Sequence, residues 1–395
     1  MKDTYTINLG GGEWATRVGA SLLTITNNRT QEKTPSAMDC LRTGLTTRRL
    51  SDRTVEKVDA KEPLVTWVGN TYAQVQESAA TMLLENTTLE GAVSGLSGLG
   101  VGPTGYTSIL NGDVVVLDSY YPGDNKINYS GYSDVCYSSQ VVYFNPNSEY
   151  FVSAEAEATV SRPINTYFKL TPPTGTTMTY YLNGVVVQED DFMPLGLHTV
   201  GISASVGSTG GDATLEFGVL NSEVPGSVTI DLPQVTTLNH KTSYIRRAVG
   251  DSVPSRGEPG QHKTVNLSKF IDSRNFSMEM VYKDIPNSGR SKQIRLTDEA
   301  NNERFVLRFP DTGNQFTLLV NSNGQQIVND TYAGVQHDVL TSYKVTAAPE
   351  GFKVYIDGVL AKNIKVENTL KGLGVLDFNY GANAVKGEIH QIKIS

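Results

Sequence analysis

Apolar and polar residues alternate in short runs along most of the chain, as they do in β-strands that bury one side and expose the other. The clearest runs are residues 343–346, Tyr-Lys-Val-Thr, and residues 352–356, Phe-Lys-Val-Tyr-Ile. Turn-forming residues separate the runs at short spacing, and long runs of helix-forming residues are scarce. The pattern therefore predicts an all-β protein built of antiparallel β-sandwiches.

Two short segments with similar sequences each predict a β-hairpin. Residues 181–185 read Tyr-Leu-Asn-Gly-Val, and residues 355–359 read Tyr-Ile-Asp-Gly-Val. Asn-Gly and Asp-Gly favour a two-residue type I′ turn, because both central positions of that turn need a positive φ. The repeated phrase predicts two tandem sandwiches (jelly rolls) after a short N-terminal β-containing arm. Residues 249–260, rich in Pro and Gly, are the best candidate for the linker between them.

Composition and charge exclude several classes of partner. The chain of 395 residues carries a net charge of −8, which argues against binding the phosphate backbone of a nucleic acid. No apolar stretch approaches the roughly 20 residues that span a membrane, and none near the N-terminus resembles a signal peptide. Cys40 and Cys136 are isolated, so neither a disulfide framework nor metal-ligand spacing is present. We expect no cofactor, no metal site and synthesis in a cytoplasm.

Three phrases occur in an order that resembles the structural proteins of tailed bacteriophages. Arg49-Leu50-Ser51-Asp52-Arg53-Thr54 resembles their Arg-x-Ser-x-x-Thr phrase, and residues 83–87 resemble their Asn-Leu-Leu-x-Asn-Ser phrase. Residues 230–234, followed by residues 242–245, resemble the phrase that closes their carbohydrate-binding-like jelly roll. In the second phrase the family's Asn-Leu-Leu is replaced by Met82-Leu83-Leu84, so the resemblance is to a distant relative.

The last part of the chain is similar to concanavalin-A-like and laminin-G-like domains, through residues 276–280, 304–307 and the hairpin at 355–359. Together the resemblances imply an N-terminal anchoring region over residues 1–82. They imply a carbohydrate-binding-like jelly roll over residues 83–245 and a concanavalin-A-like/laminin-G-like sandwich over residues 246–395.

The resemblance also implies a function and a location. Such proteins are virion components of the tail fibre, tail spike or head fibre type, made in the host cytoplasm. They associate with other virion proteins and with themselves, as a homo-oligomer for which a trimer is the favoured form. They display sandwich modules that contact polysaccharides of the host surface.

Residues 119–134 have the composition of an adhesive surface loop. Tyrosine rings offer flat apolar faces to the C–H groups of sugars, and Asp, Asn and Ser side chains bind hydroxyl groups. The same composition also builds subunit interfaces, so an oligomer or virion contact and a plain surface loop remain alternative interpretations. The candidate carbohydrate-binding residues are Tyr120, Tyr121, Asp124, Asn125, Tyr129, Tyr132 and Asp134.

No constellation in the sequence predicts catalysis. A glycosidase needs two carboxyl groups about 5–5.5 Å apart for retention, or about 6.5–9.5 Å apart for inversion. Glu155 and Glu157 point to one side of a predicted strand, but the alternating alanines indicate that this side faces water. We therefore expect a protein that is not an enzyme. A purely architectural capsid or tail protein and a polysaccharide depolymerase are the alternatives.

Overall fold

The structure of the protein is a computed structural model. It describes residues 5–10, 23–36, 38–44, 46–58, 64–68, 71–76, 80–132, 134–221, 225–238, 241–264, 267–284, 292–309, 315–333, 339–377 and 387–395. These residues form strands joined by turns, with one 3-10 turn at Ile164–Thr166. None of the described segments forms a helix with the length and apolar character that crossing a bilayer requires.

The strands are numbered in chain order. The first nine are β1 (Tyr5–Gly10), β2 (Leu23–Asn27), β3 (Lys33–Ser36), β4 (Met38–Gly44), β5 (Thr47–Arg49), β6 (Val55–Lys57), β7 (Val65–Val68), β8 (Thr71–Gln76) and β9 (Ala80–Thr81). The next thirteen are β10 (Thr107–Leu110), β11 (Asp113–Asp118), β12 (Asn125–Gly131), β13 (Cys136–Phe144), β14 (Glu149–Ala158), β15 (Arg162–Pro163), β16 (Phe168–Thr171), β17 (Thr177–Leu182), β18 (Val185–Val187), β19 (Phe192–Met193), β20 (Gly196–Ser205), β21 (Gly211–Val219) and β22 (Gly226–Thr236). The last eleven are β23 (Ser255–Thr264), β24 (Phe276–Asp284), β25 (Lys292–Thr297), β26 (Arg304–Phe309), β27 (Gln315–Ser322), β28 (Gln325–Ala333), β29 (Leu340–Ala348), β30 (Gly351–Ile356), β31 (Val359–Lys365), β32 (Val375–Asp377) and β33 (Gly387–Ile394).

The chain divides into two compact units, each assembled from separate segments. The central unit comprises Gly44–Lys57 and Ala79–Arg256. The terminal unit comprises Met1–Thr43, Val58–Ser78 and Gly257–Ser395. The described strand pairs of both units are antiparallel, so the fold is a tandem pair of antiparallel β-sandwiches, as the alternation pattern predicts.

The central unit packs a seven-stranded sheet against a four-stranded sheet. The strand order is β11-β12-β22-β14-β20-β17-β18 in the larger sheet and β10-β13-β21-β16 in the smaller. Tyr129 of the larger sheet meets Phe217 of the smaller edge to face, with ring centroids 6.1 Å apart. Both side chains are fully buried, so the apolar sides of the two sheets form one core between them.

The terminal unit has the same general construction. One sheet contains β3-β2-β1-β33-β24-β29-β30-β31, with β7 and β8 attached beside β33, and the other contains β28-β27-β26-β25-β32-β23-β4. Phe276 of the first sheet meets Phe305 of the second, with ring centroids 5.1 Å apart. Such aromatic pairs stabilise a core beyond the area that they bury.

The division into units differs from the three consecutive segments that the sequence implies. Strand β1 pairs with the C-terminal strand β33, and Ile7 lies opposite Ile394. Ile7 and Ile25 are both buried in the core of the terminal unit. The predicted region 1–82 is therefore shared, because its strands β1–β3, β7 and β8 complete the terminal unit while β5 and β6 belong to the central unit.

The predicted linker is partly a strand. Residues 249–254 form a turn and an extended segment, and β23 begins at Ser255. The central unit ends at Arg256 within this strand. The Gly and Pro content of residues 249–260 therefore marks the point where the chain leaves the central unit for the terminal unit.

Both predicted hairpin turns are present. Asn183 and Gly184 have φ values of 52° and 83°, and Asp357 and Gly358 have φ values of 47° and 79°. Two consecutive positive φ values are the signature of the type I′ turn. The turns join β17 to β18 in the central unit and β30 to β31 in the terminal unit.

Candidate functional site

The outward side of the four-stranded sheet in the central unit carries a row of aromatic, aliphatic and hydroxyl side chains. Along β13 the residues alternate between core and solvent, so Tyr137, Ser139, Val141 and Tyr143 share the solvent side. Tyr143 and Val141 are each 59% exposed, and Tyr137 is half-buried. Two tyrosine side chains thus stand on the solvent side of one strand, and Tyr143 is the more exposed of the two.

Neighbouring strands extend this row with polar and charged side chains. Ser139 lies opposite Glu216 of β21, and Glu216 lies opposite Lys169 of β16. Further along the sheet, Tyr143 lies opposite Asp212. We call this surface the tyrosine face, and its residues are Tyr137, Ser139, Val141, Tyr143, Lys169, Asp212, Thr214 and Glu216.

A cavity of about 320 Å³ lies at the Tyr137 end of the tyrosine face. Its size falls at the lower limit of the roughly 300–1,000 Å³ that is usual for small-molecule sites. Amide, hydroxyl, charged and aromatic groups all contribute to its wall, which includes Val135, Tyr137, Asn165, Lys169, Glu216 and Asn221.

The charged groups of this cavity are available to a ligand. Lys169 is exposed, Glu216 is half-buried, and neither forms a hydrogen bond or an ion pair among the described residues. Burial, followed by the negative charge of Glu216, raises the pKa of Tyr137. The phenol is protonated at neutral pH, as an unperturbed tyrosine also is. The cavity offers a donor in Lys169, an acceptor in Glu216 and a neutral aromatic wall between hydroxyl and amide groups.

The stretch predicted as an adhesive loop is mostly not a loop. Residues 125–131 form strand β12, and Tyr129 points into the core, where its hydroxyl donates to Ser138 Oγ at 2.9 Å. Asn125 is the first residue of the strand, and its side-chain amide donates to the carbonyl of Leu89 at 3.4 Å. The prediction of Tyr129 as a sugar contact is wrong, because Tyr129 lies on the same side of β12 as Ile127 and both side chains are fully buried.

Asp124 is also buried. It is 4% exposed, and Arg246 donates to its carboxylate at 2.8 Å. The hydroxyl of Tyr244 donates to the same carboxylate at 3.4 Å. Burial raises the pKa of Asp124, and the bond and charge of Arg246 oppose that rise. The role of Asp124 is therefore to hold Arg246 and Tyr244.

The remaining predicted residues do not form a single surface. Lys126 lies over the ring of Tyr120 at 4.5 Å, and Arg246 lies over the ring of Tyr121 at 5.6 Å. Both rings pack on a small core cluster instead of presenting open faces. Tyr132 is exposed and donates to Asp113 at 2.9 Å. Asp134 is exposed as well.

The second and third phrases that resemble phage proteins contact each other in the central unit. Val55, next to the first phrase, packs against Leu232 and Tyr244 of the third. The Tyr244 hydroxyl donates to the carbonyl of Thr87 in the second phrase at 2.9 Å. The second and third phrases, together with Val55 beside the first, thus meet in the central unit although they lie far apart in sequence.

Glu155 is buried, although the sequence predicts that it is exposed. It is 4% exposed, and its carboxylate is bound by Arg49 at 2.9 Å, by Lys241 at 3.3 Å and by the hydroxyl of Thr199 at 2.9 Å. Burial raises the pKa of Glu155, but the charges of Lys241 and Arg49 outweigh this and hold the pKa below its usual range. Glu157, two residues on, is exposed as predicted.

The tyrosine face itself is missing from the sequence-based site. The signal was present in the sequence, because Tyr143 follows Tyr137 by an even number of positions and the two therefore share a side of any strand that contains both. The high density of aromatic residues in 119–134 led to that stretch being predicted as the binding site instead. In the described part of the chain, no three His, Cys, Asp or Glu side chains are grouped in a way that would hold a metal ion.

No protein-family model matches the sequence, and no curated protein matches it. Solved structures with similar sandwiches include galectin LEC-6 of Caenorhabditis elegans, at 14% identity and a TM-score of 0.27 over 35% of this chain and 90% of that chain. They also include domains LG4-5 of the mouse laminin alpha1 chain, at 10% identity and a TM-score of 0.28 over 68% of this chain and 88% of that chain. The carbohydrate-binding module CBM66 of Bacillus subtilis has 14% identity and a TM-score of 0.26 over 35% of this chain and 81% of that chain. Similarity this low assigns neither a family nor a ligand.

Proposed function

We propose that the protein is a non-catalytic glycan-binding component of a bacteriophage virion, and that the tyrosine face is its binding surface. The observation that carries the glycan part is the pairing of the Tyr137 ring with unengaged Lys169 and Glu216 at one cavity. Sugars present both apolar C–H patches and hydroxyl groups, so they need an aromatic wall and polar groups together.

The paired strands that carry the tyrosine face favour its use in binding a ligand. Its side chains project from paired strands whose other side is packed in the core, so the backbone beneath them is held in place before a ligand arrives. Preorganised groups lose less conformational entropy on binding. A shallow face of this kind gives weak affinity for each copy, and several copies in a homo-oligomer, for which we favour a trimer, raise the avidity.

The virion part of the proposal rests on the sequence phrases. The contact between the second and third phrases, with Val55 beside the first, gives this part its structural support. Under this proposal the partners are other virion proteins, sister chains and a host-surface polysaccharide. Detection of the protein in purified particles tests this part independently of binding.

Binding of the purified full-length protein to an array of immobilised glycans tests the glycan part. We expect Tyr137→Ala to weaken binding about tenfold, equivalent to about 1.4 kcal/mol. Tyr132→Ala is the matched control, because that ring is exposed outside the tyrosine face, and we expect it to bind like the parent. Circular dichroism checks that both variants are folded.

Three outcomes would contradict the proposal. Loss of binding in Tyr132→Ala alone would return the site to residues 119–134. Release of reducing ends from a bound polysaccharide would make the protein a depolymerase. A protein that is found in particles but binds no glycan would be a purely architectural component.

A further inference from the structure

The tyrosine face is longer than its cavity. Tyr143 follows Tyr137 by six positions on β13, which corresponds to about 20 Å at about 3.4 Å per residue. Between the two rings the strand presents Ser139 and the exposed Val141. A hydroxyl and an aliphatic group thus continue the surface from one aromatic ring to the other.

The second ring is not part of the cavity. Tyr143 does not line it, yet more than half of its side chain is open to solvent and Asp212 stands opposite it. An aromatic ring beside a carboxylate repeats the combination of Tyr137 with Glu216. The face therefore contains two similar positions along one strand.

The charges of the tyrosine face limit what can lie on it. Lys169 contributes one positive charge, while Glu216 and Asp212 contribute two negative charges. Glu216 stands directly opposite Lys169, so their fields largely cancel, and Asp212 leaves the far end negative. An anionic chain would bring like charges together at that end, which costs free energy in every register.

We propose that the tyrosine face binds a linear, electrically neutral glycan chain lengthwise along β13, with one subsite at the Tyr137 cavity and a second at Tyr143. This inference rests on the proposed glycan function and adds the shape and charge of the ligand. A chain that reaches both rings gains contacts that a disaccharide in the cavity does not make. Affinity therefore rises with chain length.

Titration of the full-length protein with 1,4-linked oligosaccharides of glucose and of N-acetylglucosamine, from disaccharide to hexasaccharide, tests this inference. We expect the parent protein to bind the hexasaccharide of at least one series at least tenfold more tightly than the disaccharide. Tyr143→Ala removes this gain but keeps disaccharide binding, whereas Tyr137→Ala weakens binding at every length. Oligogalacturonates of equal length bind more weakly than the neutral chains.

The outcomes separate this inference from the function on which it rests. Binding that depends on Tyr137 but not on chain length would overturn the second subsite and leave the glycan function standing. Equal or tighter binding of the oligogalacturonates would overturn the neutral-chain preference. Failure of both neutral series to bind at millimolar concentration would overturn the inference, and the glycan array would then decide the function separately.

Discussion

Glu155 shows that the pattern of a strand predicts which way a side chain points, but not whether that side chain is buried. The alternation in β14 correctly predicts that Ala154 and Ala156 face the core, at 2% and 0% exposure. It does not predict what covers the opposite side. Arg49 and Lys241, from distant parts of the chain, contact Glu155 on that side, and their charges compensate the burial of its carboxylate. Local pattern gives the direction of a side chain, and tertiary contacts give its burial.

The ion cluster around Glu155 should make a large contribution to the stability of the central unit. Removing one partner of a buried ion pair costs about 3–5 kcal/mol, because the other charge is left uncompensated. The value for Glu155→Gln should lie near the lower end, about 3 kcal/mol, because Lys241 is 45% exposed and water screens it. Urea unfolding measures the loss, and Glu157→Gln is the control, with an expected change below about 0.5 kcal/mol.

The pH dependence of the same variant gives a second readout. The folded-state pKa of Glu155 is depressed below its unfolded value of 4.5, so its contribution is fully present above that pH. The contribution is lost as the pH falls through the lower, folded-state pKa. The difference in unfolding free energy between the parent and Glu155→Gln should therefore shrink with acidification from pH 5. A difference that stays constant or grows would refute the ion-pair account.

Among the elements, both hairpin turns were predicted from the sequence, whereas the pairing of the strands that form the tyrosine face was not. Asn-Gly and Asp-Gly fix their turns through backbone conformation alone, which the dipeptide itself specifies. Strand β13 begins at Cys136, before its alternation becomes obvious in the sequence, so the Tyr137 end of the face was not assigned to a strand. Strands that are far apart in sequence pair with each other in these sheets. A local sequence pattern does not predict which strands will pair.

The type I′ turns should be sensitive to a side chain at their glycines. Gly184 and Gly358 have φ values of 83° and 79°, and a Cβ atom at either position would meet nothing within 4 Å. The cost of alanine is therefore backbone strain alone, about 1–2 kcal/mol. We expect Gly184→Ala to destabilise the central unit and Gly358→Ala to destabilise the terminal unit by similar amounts in urea unfolding. No loss in either variant would show that the turns relax to another type.

At the scale of the whole molecule, the sequence predicted tandem sandwiches but assigned their segments in consecutive order. The hydrophobic residues of the N-terminal strands were visible, but their partner strand lies at the other end of the chain. Ile7 and Ile394 meet across β1 and β33 because the core of the terminal unit needs both ends of the chain. Chain order alone does not reveal a discontinuous unit.

This organisation predicts a thermal signature. Two compact units should give two calorimetric transitions. Ile7→Ala should lower the stability of the terminal unit by about 2–5 kcal/mol through the cavity it creates, although the residue lies near the N-terminus. Val114→Ala, at an equally buried site in the central unit, should shift the other transition. If Ile7→Ala leaves both transitions in place, β1 is not part of the terminal core.

The central claim, that the tyrosine face holds a glycan, is tested most directly by NMR of protein labelled with ¹³C on its tyrosine rings during titration with a neutral hexasaccharide. The account predicts that the ring signals of Tyr137 and Tyr143 shift in a saturable way while the signal of the exposed Tyr132 stays in place. Assignment comes from the single Tyr→Phe variants. A shift of Tyr132 with Tyr137 and Tyr143 unchanged, or no shift at a saturating concentration, would contradict it.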